Sequence, residues 1–236
     1  MASSLNGTGV TFSDSTSQAS ARVGPRGQVF TSSGTFTIPA GITAIKVTVV
    51  GAGGGGQGGT YGCNVVGGMP GAAGGAAIKY LSGLTSGGTL AVTIGTGGVG
   101  TQNSGSGSLP AAGGTGNTSS VASGTQAIST ISATGGTGGN ASSWNGYSLY
   151  GGVGSGGDIN LRGGNAIVAG ANGTQNTSQS GAPGASIFTP THAPYYANAA
   201  AGTNFGYGGG GQAGSVNTGA ASKGGNGGDG IVIIEW

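Results

Sequence analysis

Catalysis needs titratable or nucleophilic side chains, and this chain carries few. The charged residues are Asp14, Arg22, Arg26, Lys46, Lys79, Asp158, Arg162, Lys223, Asp229 and Glu235, joined by one histidine, His192, and one cysteine, Cys63. A carboxylate pair for acid–base work on a glycosidic bond would be drawn from Asp158 and Asp229. Each stands beside glycine, in Gly157-Asp-Ile-Asn160 and Gly228-Asp-Gly230, the setting of a turn residue rather than of an acid in a cleft. A nucleophilic triad would need His192, but Thr189-Pro-Thr-His-Ala-Pro194 reads as a proline-braced exposed loop. A zinc site takes three or four Cys, His or carboxylate ligands, and here they are scattered. A lone cysteine has no partner for a disulfide within the chain. No enzymatic activity, metal or cofactor is expected.

Two further classes fall on similar grounds. Val49-Val50-Gly51-Ala-Gly53-Gly-Gly-Gly56 fits the dinucleotide pattern Gly-x-Gly-x-x-Gly, but 61 of the 236 residues are glycine and such matches arise by chance. That fingerprint also needs a helix N-terminus facing the pyrophosphate, and glycines continue to Gly75, so no helix can start. A phosphate-binding P-loop is excluded by the absence of any Gly-Lys dipeptide. A net charge of +2 is too small for binding driven by phosphate neutralisation, so no nucleic-acid partner is expected. No apolar run is long enough for membrane insertion. The opening residues have neither a basic nor an apolar leader segment, so no secretory signal is expected.

What remains is a set of rings in polar surroundings. Trp144, Tyr147 and Tyr150 lie in Asn140-Ala-Ser-Ser-Trp-Asn-Gly-Tyr-Ser-Leu-Tyr150; Tyr61 lies in an earlier loop; Phe188, Tyr195, Tyr196, Phe205 and Tyr207 lie in or just after the glycine-poor stretch 185–205. Tyr and Trp among Ser, Asn and Gly is the chemistry of adaptable binding loops, with rigid rings for area and short polar side chains for hydrogen bonds. It also suits sugars, whose C–H faces stack on rings. The alternative is that these rings fill gaps in a lattice of glycine.

Something must hold such loops. Gly34–Pro39, Ile45–Val50, Thr89–Ile94 and Ile231–Trp236 read as strands, with Ala76–Leu81, Ser119–Ala122, Gln126–Ala133 and Val29–Phe30 as weaker candidates. Ile45, Val47 and Val49 point one way and Lys46 and Thr48 the other; Ile231–Trp236 is apolar on both faces, as in a central strand. One-sided alternation suits antiparallel sheets with one face in a core. The expected fold is all-β, a small antiparallel β-sandwich with no α-helix, since glycine costs ~1 kcal/mol per residue in a helix.

Between the strands lie glycine tracts, beginning with Gly51-Ala-Gly-Gly-Gly-Gly-Gln-Gly-Gly59 and recurring to Gly224–Gly230. High glycine marks disorder, but disorder is usually sustained by charge, and only 4% of this chain is charged. The tracts also recur inside one strand pattern, where floppy loops would oppose sheet closure. They are expected to be inserted polyglycine II-type helices, extended and left-handed with three residues per turn, hydrogen-bonded to neighbouring tracts. Collagen is excluded, because a strict Gly-X-Y period is not kept and proline is sparse.

The segment Phe36-Thr-Ile-Pro-Ala-Gly-Ile-Thr-Ala-Ile-Lys-Val-Thr-Val-Val-Gly-Ala-Gly-Gly-Gly-Gly56 resembles the opening of the glycine-rich domain of bacteriophage tail-fibre and receptor-binding (adhesin) proteins. Leu90–Gly98, Tyr207–Gly211 and Gly230-Ile-Val-Ile-Ile-Glu-Trp236 continue the resemblance in order, so it covers roughly 30–236. Gly9–Ala21 is similar to a tail-fibre element of pattern Phe-x-Asp-Gly-Thr-x-Gln, with Ser15 in place of its glycine. The resemblance implies residues 1–28 as an attachment or trimerising segment and 29–236 as a receptor-binding domain. By analogy with phage tip adhesins, loops 60–66, 140–150, 158–162 and 185–205 would carry specificity, which adds Arg162 and His192 to the candidate rings. The implied partners are a bacterial surface glycan or outer-membrane protein, other tail proteins through the N-terminus, and further copies in a homotrimer on the virion. Two other expectations stay open. One is an ice-binding or other extracellular structural protein, using Ala/Thr faces. The other is a glycan depolymerase using Asp158 or Asp229.

Overall fold

Alternating branched residues dictate the first sheet. A computed structural model describes residues 4–6, 9–11, 17–18, 26–59, 68–102, 111–140, 149–167, 183–189, 207–210 and 223–236. The strands are β1 (Ser4–Asn6), β2 (Gly9–Thr11), β3 (Ser17–Gln18), β4 (Gly27–Phe30), β5 (Gly34–Thr37), β6 (Ala44–Val50), β7 (Ala76–Ser82), β8 (Thr89–Thr93), β9 (Ser119–Ser123), β10 (Ile131–Ala133), β11 (Gly154–Ser155), β12 (Ile159–Leu161) and β13 (Ile231–Glu235). They form a small sheet β1-β2-β3 and two five-stranded sheets, β12-β7-β6-β13-β4 and β11-β10-β9-β8-β5. Every pairing between these strands is antiparallel. No α-helix occurs among the described residues.

Register explains the core. Val49 sits opposite Val232 and Ala77, and Val47 opposite Ile234, so these side chains share one face. From the other sheet come Phe36 opposite Leu90, and Val92 opposite Val121, which faces Ile131. These residues join Ile38 and Ile45 in one buried cluster. The Phe36 ring lies 5.6 Å from that of Trp236. The doubly apolar β13 is central, between β6 and β4. Pro39-Ala-Gly41 turns as expected: the Ile42 N–H donates to the Pro39 carbonyl, and Gly41 has φ 76°, where a side chain would be strained.

Two strand expectations need correction. Residues 126–130 are not strand, because the Ser123 hydroxyl accepts from the Ile128 N–H (3.0 Å) and donates to the Ile128 carbonyl (2.9 Å), taking up the groups a ladder would use. Conversely, 151–157 and 158–162 are not simply tract and loop. They contain the edge strands β11 and β12, joined by a bend at Gly156 with φ 74°.

The remaining backbone runs through glycine-rich tracts: I (51–57), II (68–75), III (95–102), IV (111–118), V (134–140), VI (149–153), VII (162–167), VIII (183–186), IX (207–210) and X (223–230). Hydrogen bonds of tract I repeat every third residue. Gly51, Gly54 and Gln57 donate to the carbonyls of Gly75, Ala72 and Met69 in II. Ala52 and Gly55 donate to Asn117 and Gly114 in IV, and Gly53 and Gly56 to Gly228 and Gly225 in X. This is the threefold, sideways-bonded pattern of a polyglycine II-type helix. Partner numbers fall as those of I rise, so II, IV and X run antiparallel to it. Tracts III and V run parallel and donate into it, through Gly98 and Thr101 and through Gly136 and Gly139. Tract IX closes the last side against Gly53.

Tract II is surrounded in the same way. It donates from Ala72 to V, from Ala73 to VII and from Gly74 to IX, and accepts from Gly152 of VI and Gly184 of VIII. The outer tracts form a ring in chain order, III-IV-V-VI-VII-VIII-IX-X, closed where Gly224, Gly227 and Gly230 of X donate to Thr101, Gly98 and Gly95 of III. Among the tract glycines only Gly208 has a positive φ. Glycine is required here by space: a Cβ on Gly53, Gly54 or Gly55 would overlap a neighbour's carbonyl, well inside the 3.0 Å that real Cβ atoms keep.

Candidate binding surface

The outer tracts show side chains to solvent at every third residue, as a threefold helix must. Thr96 and Val99 do so on III, Tyr150 and Val153 on VI, Arg162 and Asn165 on VII, and Lys223, Asn226 and Asp229 on X; all are exposed. Several reach sideways to satisfy backbone groups at the rim. Asp229 Oδ1 accepts from Gly97 N–H (2.7 Å), Asn226 Oδ1 from Gly100 N–H (2.8 Å) and Asn165 Oδ1 from Gly151 N–H (3.0 Å). The strict collagen period is absent, as expected, but a local Gly-Gly-X period governs this outer layer. Thr134-Gly-Gly-Thr137-Gly-Gly-Asn140 and Lys223-Gly-Gly-Asn226-Gly-Gly-Asp229 show it in the sequence; counting glycines alone conceals it.

The lattice has two ends. At one, tracts meet strands: I follows β6, II precedes β7, III follows β8, IV precedes β9, V follows β10 and X precedes β13. At the other lie the described residues that flank 60–67, 103–110, 141–148, 168–182 and 211–222. Gln57 N–H donates to the Met69 carbonyl there, and Thr101 Oγ1 to the Ala111 carbonyl. The flanks of 190–206 belong to the strand end instead. Ser186 Oγ donates to the Tyr207 carbonyl, and Gly208 packs beside Val50 at the end of β6.

The candidate rings therefore divide. Tyr61, Trp144, Tyr147, His192, Tyr195, Tyr196 and Phe205 lie outside the described residues. Phe188 is exposed beside Ile187, at the strand end. Tyr150 and Arg162 are brought together on the flank of the lattice, with the guanidinium carbon 5.2 Å from the ring centroid, within cation–π range. The pairing follows from tract packing: Gly163 N–H donates to the Gly152 carbonyl, Val153 bridges Arg162, and Arg162 Nε donates to the Gly151 carbonyl (3.4 Å). Sequence spacing gave no sign of this pair, because 150 and 162 meet only where the chain turns from β11 in one sheet to β12 in the other and tracts VI and VII come alongside.

The candidate acids have structural partners. Asp158 Oδ1 accepts from the Lys79 ammonium and Oδ2 from the Tyr80 N–H (2.9 Å). The Lys79 hydrogen bond, followed by that of Tyr80, holds the Asp158 carboxyl below the usual carboxylate range. Asp229 caps Gly97. On the outer face of the first sheet, Lys46 pairs with Glu235 (2.8 Å), whose hydrogen bond raises the lysine above its ordinary value. Among the described residues no cluster of His, Cys, Asp or Glu could hold a metal ion.

Against known proteins, a family described as a glycine-rich domain matches residues 30–236. No curated protein matches the chain.

Proposed function

The chain belongs to the glycine-rich domain family, and on that premise we propose that it is an adhesive virion protein, a phage tail-fibre or receptor-binding protein that attaches to a bacterial surface glycan or outer-membrane protein. The observation that carries this reading is the lattice. Interior tracts I and II, ringed by III to X, make a stiff block whose far end bears the flanks of 60–67 and 141–148, the segments holding Tyr61, Trp144 and Tyr147. Rings held on a rigid scaffold bind with less ordering cost than rings on a tether. The N-terminal residues 1–28 would attach to other tail proteins and trimerise the chain; the small sheet β1-β2-β3 lies within them.

Purified protein is expected to adhere to susceptible cells and to compete with virions for adsorption, and Trp144→Ala with Tyr147→Ala to abolish both without changing the melting temperature. Failure to bind any host that the virus infects would remove this reading. The ice-binding alternative has an outward threonine array in its favour. However, Thr134 and Thr137 hydroxyls engage the Val153 and Tyr150 carbonyls and Thr96 engages Asn117, so few are left for water. A thermal-hysteresis assay decides it.

A further inference from the structure

Among the described residues, Arg162 is a cation without a counter-charge. Among the described residues, ion pairs join Lys46 to Glu235 and Lys79 to Asp158, and Arg162 has neither an acidic partner nor a hydrogen bond from its terminal nitrogens. An unpaired guanidinium on a surface is usually mobile. This one has two contacts: its Nε lies 3.4 Å from the Gly151 carbonyl and its guanidinium carbon 5.2 Å from the Tyr150 ring centroid. The terminal N–H fork, the part that recognises carboxylates and phosphates two bonds at a time, has no partner among the described residues.

The ring beside it is likewise available. Tyr150 is 56% exposed although the guanidinium lies against it, so aromatic surface remains for a C–H face. Asn165 stands one turn along tract VII from Arg162. Its Oδ1 is engaged by Gly151 N–H, which fixes the amide and leaves its NH2 without a partner among the described residues. Val153, exposed and bridged to Arg162, adds an apolar margin. A cationic fork, a stacking ring and an amide donor on one flank form the recognition set for a sugar that carries an anion.

We propose that the Tyr150–Arg162 flank is a binding site for an acidic saccharide, with the sugar's carboxylate or phosphate on the Arg162 fork and its C–H face on Tyr150. This places a contact on the side of the lattice, on tracts VI and VII. It rests on the adhesive reading only for its biological setting, since binding of a small sugar can be measured without a cell.

The test uses the full chain and amide shifts of Gly151, Gly152 and Gly163 during titration with methyl glucuronide, glucose 6-phosphate, methyl glucoside and inorganic phosphate. At least one acidic sugar is expected to bind about tenfold or more tighter than methyl glucoside, as charge-assisted hydrogen bonds allow. Preference for the glucuronide assigns a carboxylate, and preference for the phosphosugar a phosphate. Arg162→Gln is expected to bring the acidic sugar down to the neutral one. Tyr150→Leu should weaken both, and Tyr150→Phe, which keeps the ring, should bind normally. Equal binding of methyl glucoside, equal binding of inorganic phosphate, or no response to Arg162→Gln would overturn the site. Sugar binding intact without cell adhesion would fault the adhesive reading and leave this one standing.

Discussion

Replacing Gly54 by alanine adds one methyl group at the centre of the lattice. Its Cβ would overlap the Thr137 carbonyl of tract V, inside the 3.0 Å limit, where ordinary contact begins at 3.4 Å. The obstacle is backbone, so it cannot rotate aside, and I and V must part by about 1 Å. The Gly136–Ala52 and Gly139–Gly55 hydrogen bonds, 2.9 and 2.8 Å, span that seam. Breaking these two bonds, at ~1–3 kcal/mol for each buried pair left unsatisfied, gives a cost of about 2–6 kcal/mol. Reduced freedom of the unfolded chain returns only about 0.4–1 kcal/mol. The net, about 1–5 kcal/mol, amounts for a chain of this size to a fall of about 5–20 °C in melting temperature, readable by circular dichroism. The control is Val99→Ala on tract III, 63% exposed, expected to lie within about 0.5 kcal/mol of the parent. If Gly54→Ala matched Val99→Ala, tract I would not be packed on all sides.

Other consequences are more local. Phe36 is fully buried against Trp236, so Phe36→Ala should cost about 3–5 kcal/mol in chemical denaturation and shift the Trp236 emission. Ser119 is buried and its Oγ accepts from Gly95 N–H (3.0 Å) where tract III leaves β8; Ser119→Ala should cost about 1–3 kcal/mol by orphaning that donor. The Asp158 carboxyl is depressed by Lys79 and then by Tyr80. Its contribution is present above the ordinary aspartate range and is lost as pH falls through its lowered folded value. Asp158→Asn should therefore lower stability near neutrality and bring the parent and variant curves together in acid, seen as converging melting temperatures between neutral pH and pH about 2.

Alternation at Ile45, Val47 and Val49, and the two-sided apolar run at Ile231, made the central strands of the sandwich legible, because burial on one face or two leaves a period in the sequence. Ser123 hid the end of β10: a side-chain hydroxyl can replace a ladder partner without altering the apolar pattern. Ile159–Leu161 was missed because an edge strand with exposed residues carries no burial signal. The threefold form of the tracts could be argued from glycine density, but their neighbours could not. Glycine has no side chain with which to specify a partner, so the arrangement comes from where the strands deliver each tract. The Tyr150–Arg162 pair shares that origin. Of the other rings, those in 141–148 and 190–206 are distinguished by their flanks, which stand at opposite ends of the lattice, a separation that a list of aromatic positions does not contain.

Amide hydrogen exchange resolved to single residues tests the lattice most directly. With every N–H from Gly51 to Gln57 donating to a neighbouring tract, these amides are expected to exchange as slowly as those of β6, although no α-helix or strand contains them. Exchange of 51–57 at the rate of an unstructured glycine peptide, with β6 still protected, would contradict a packed lattice.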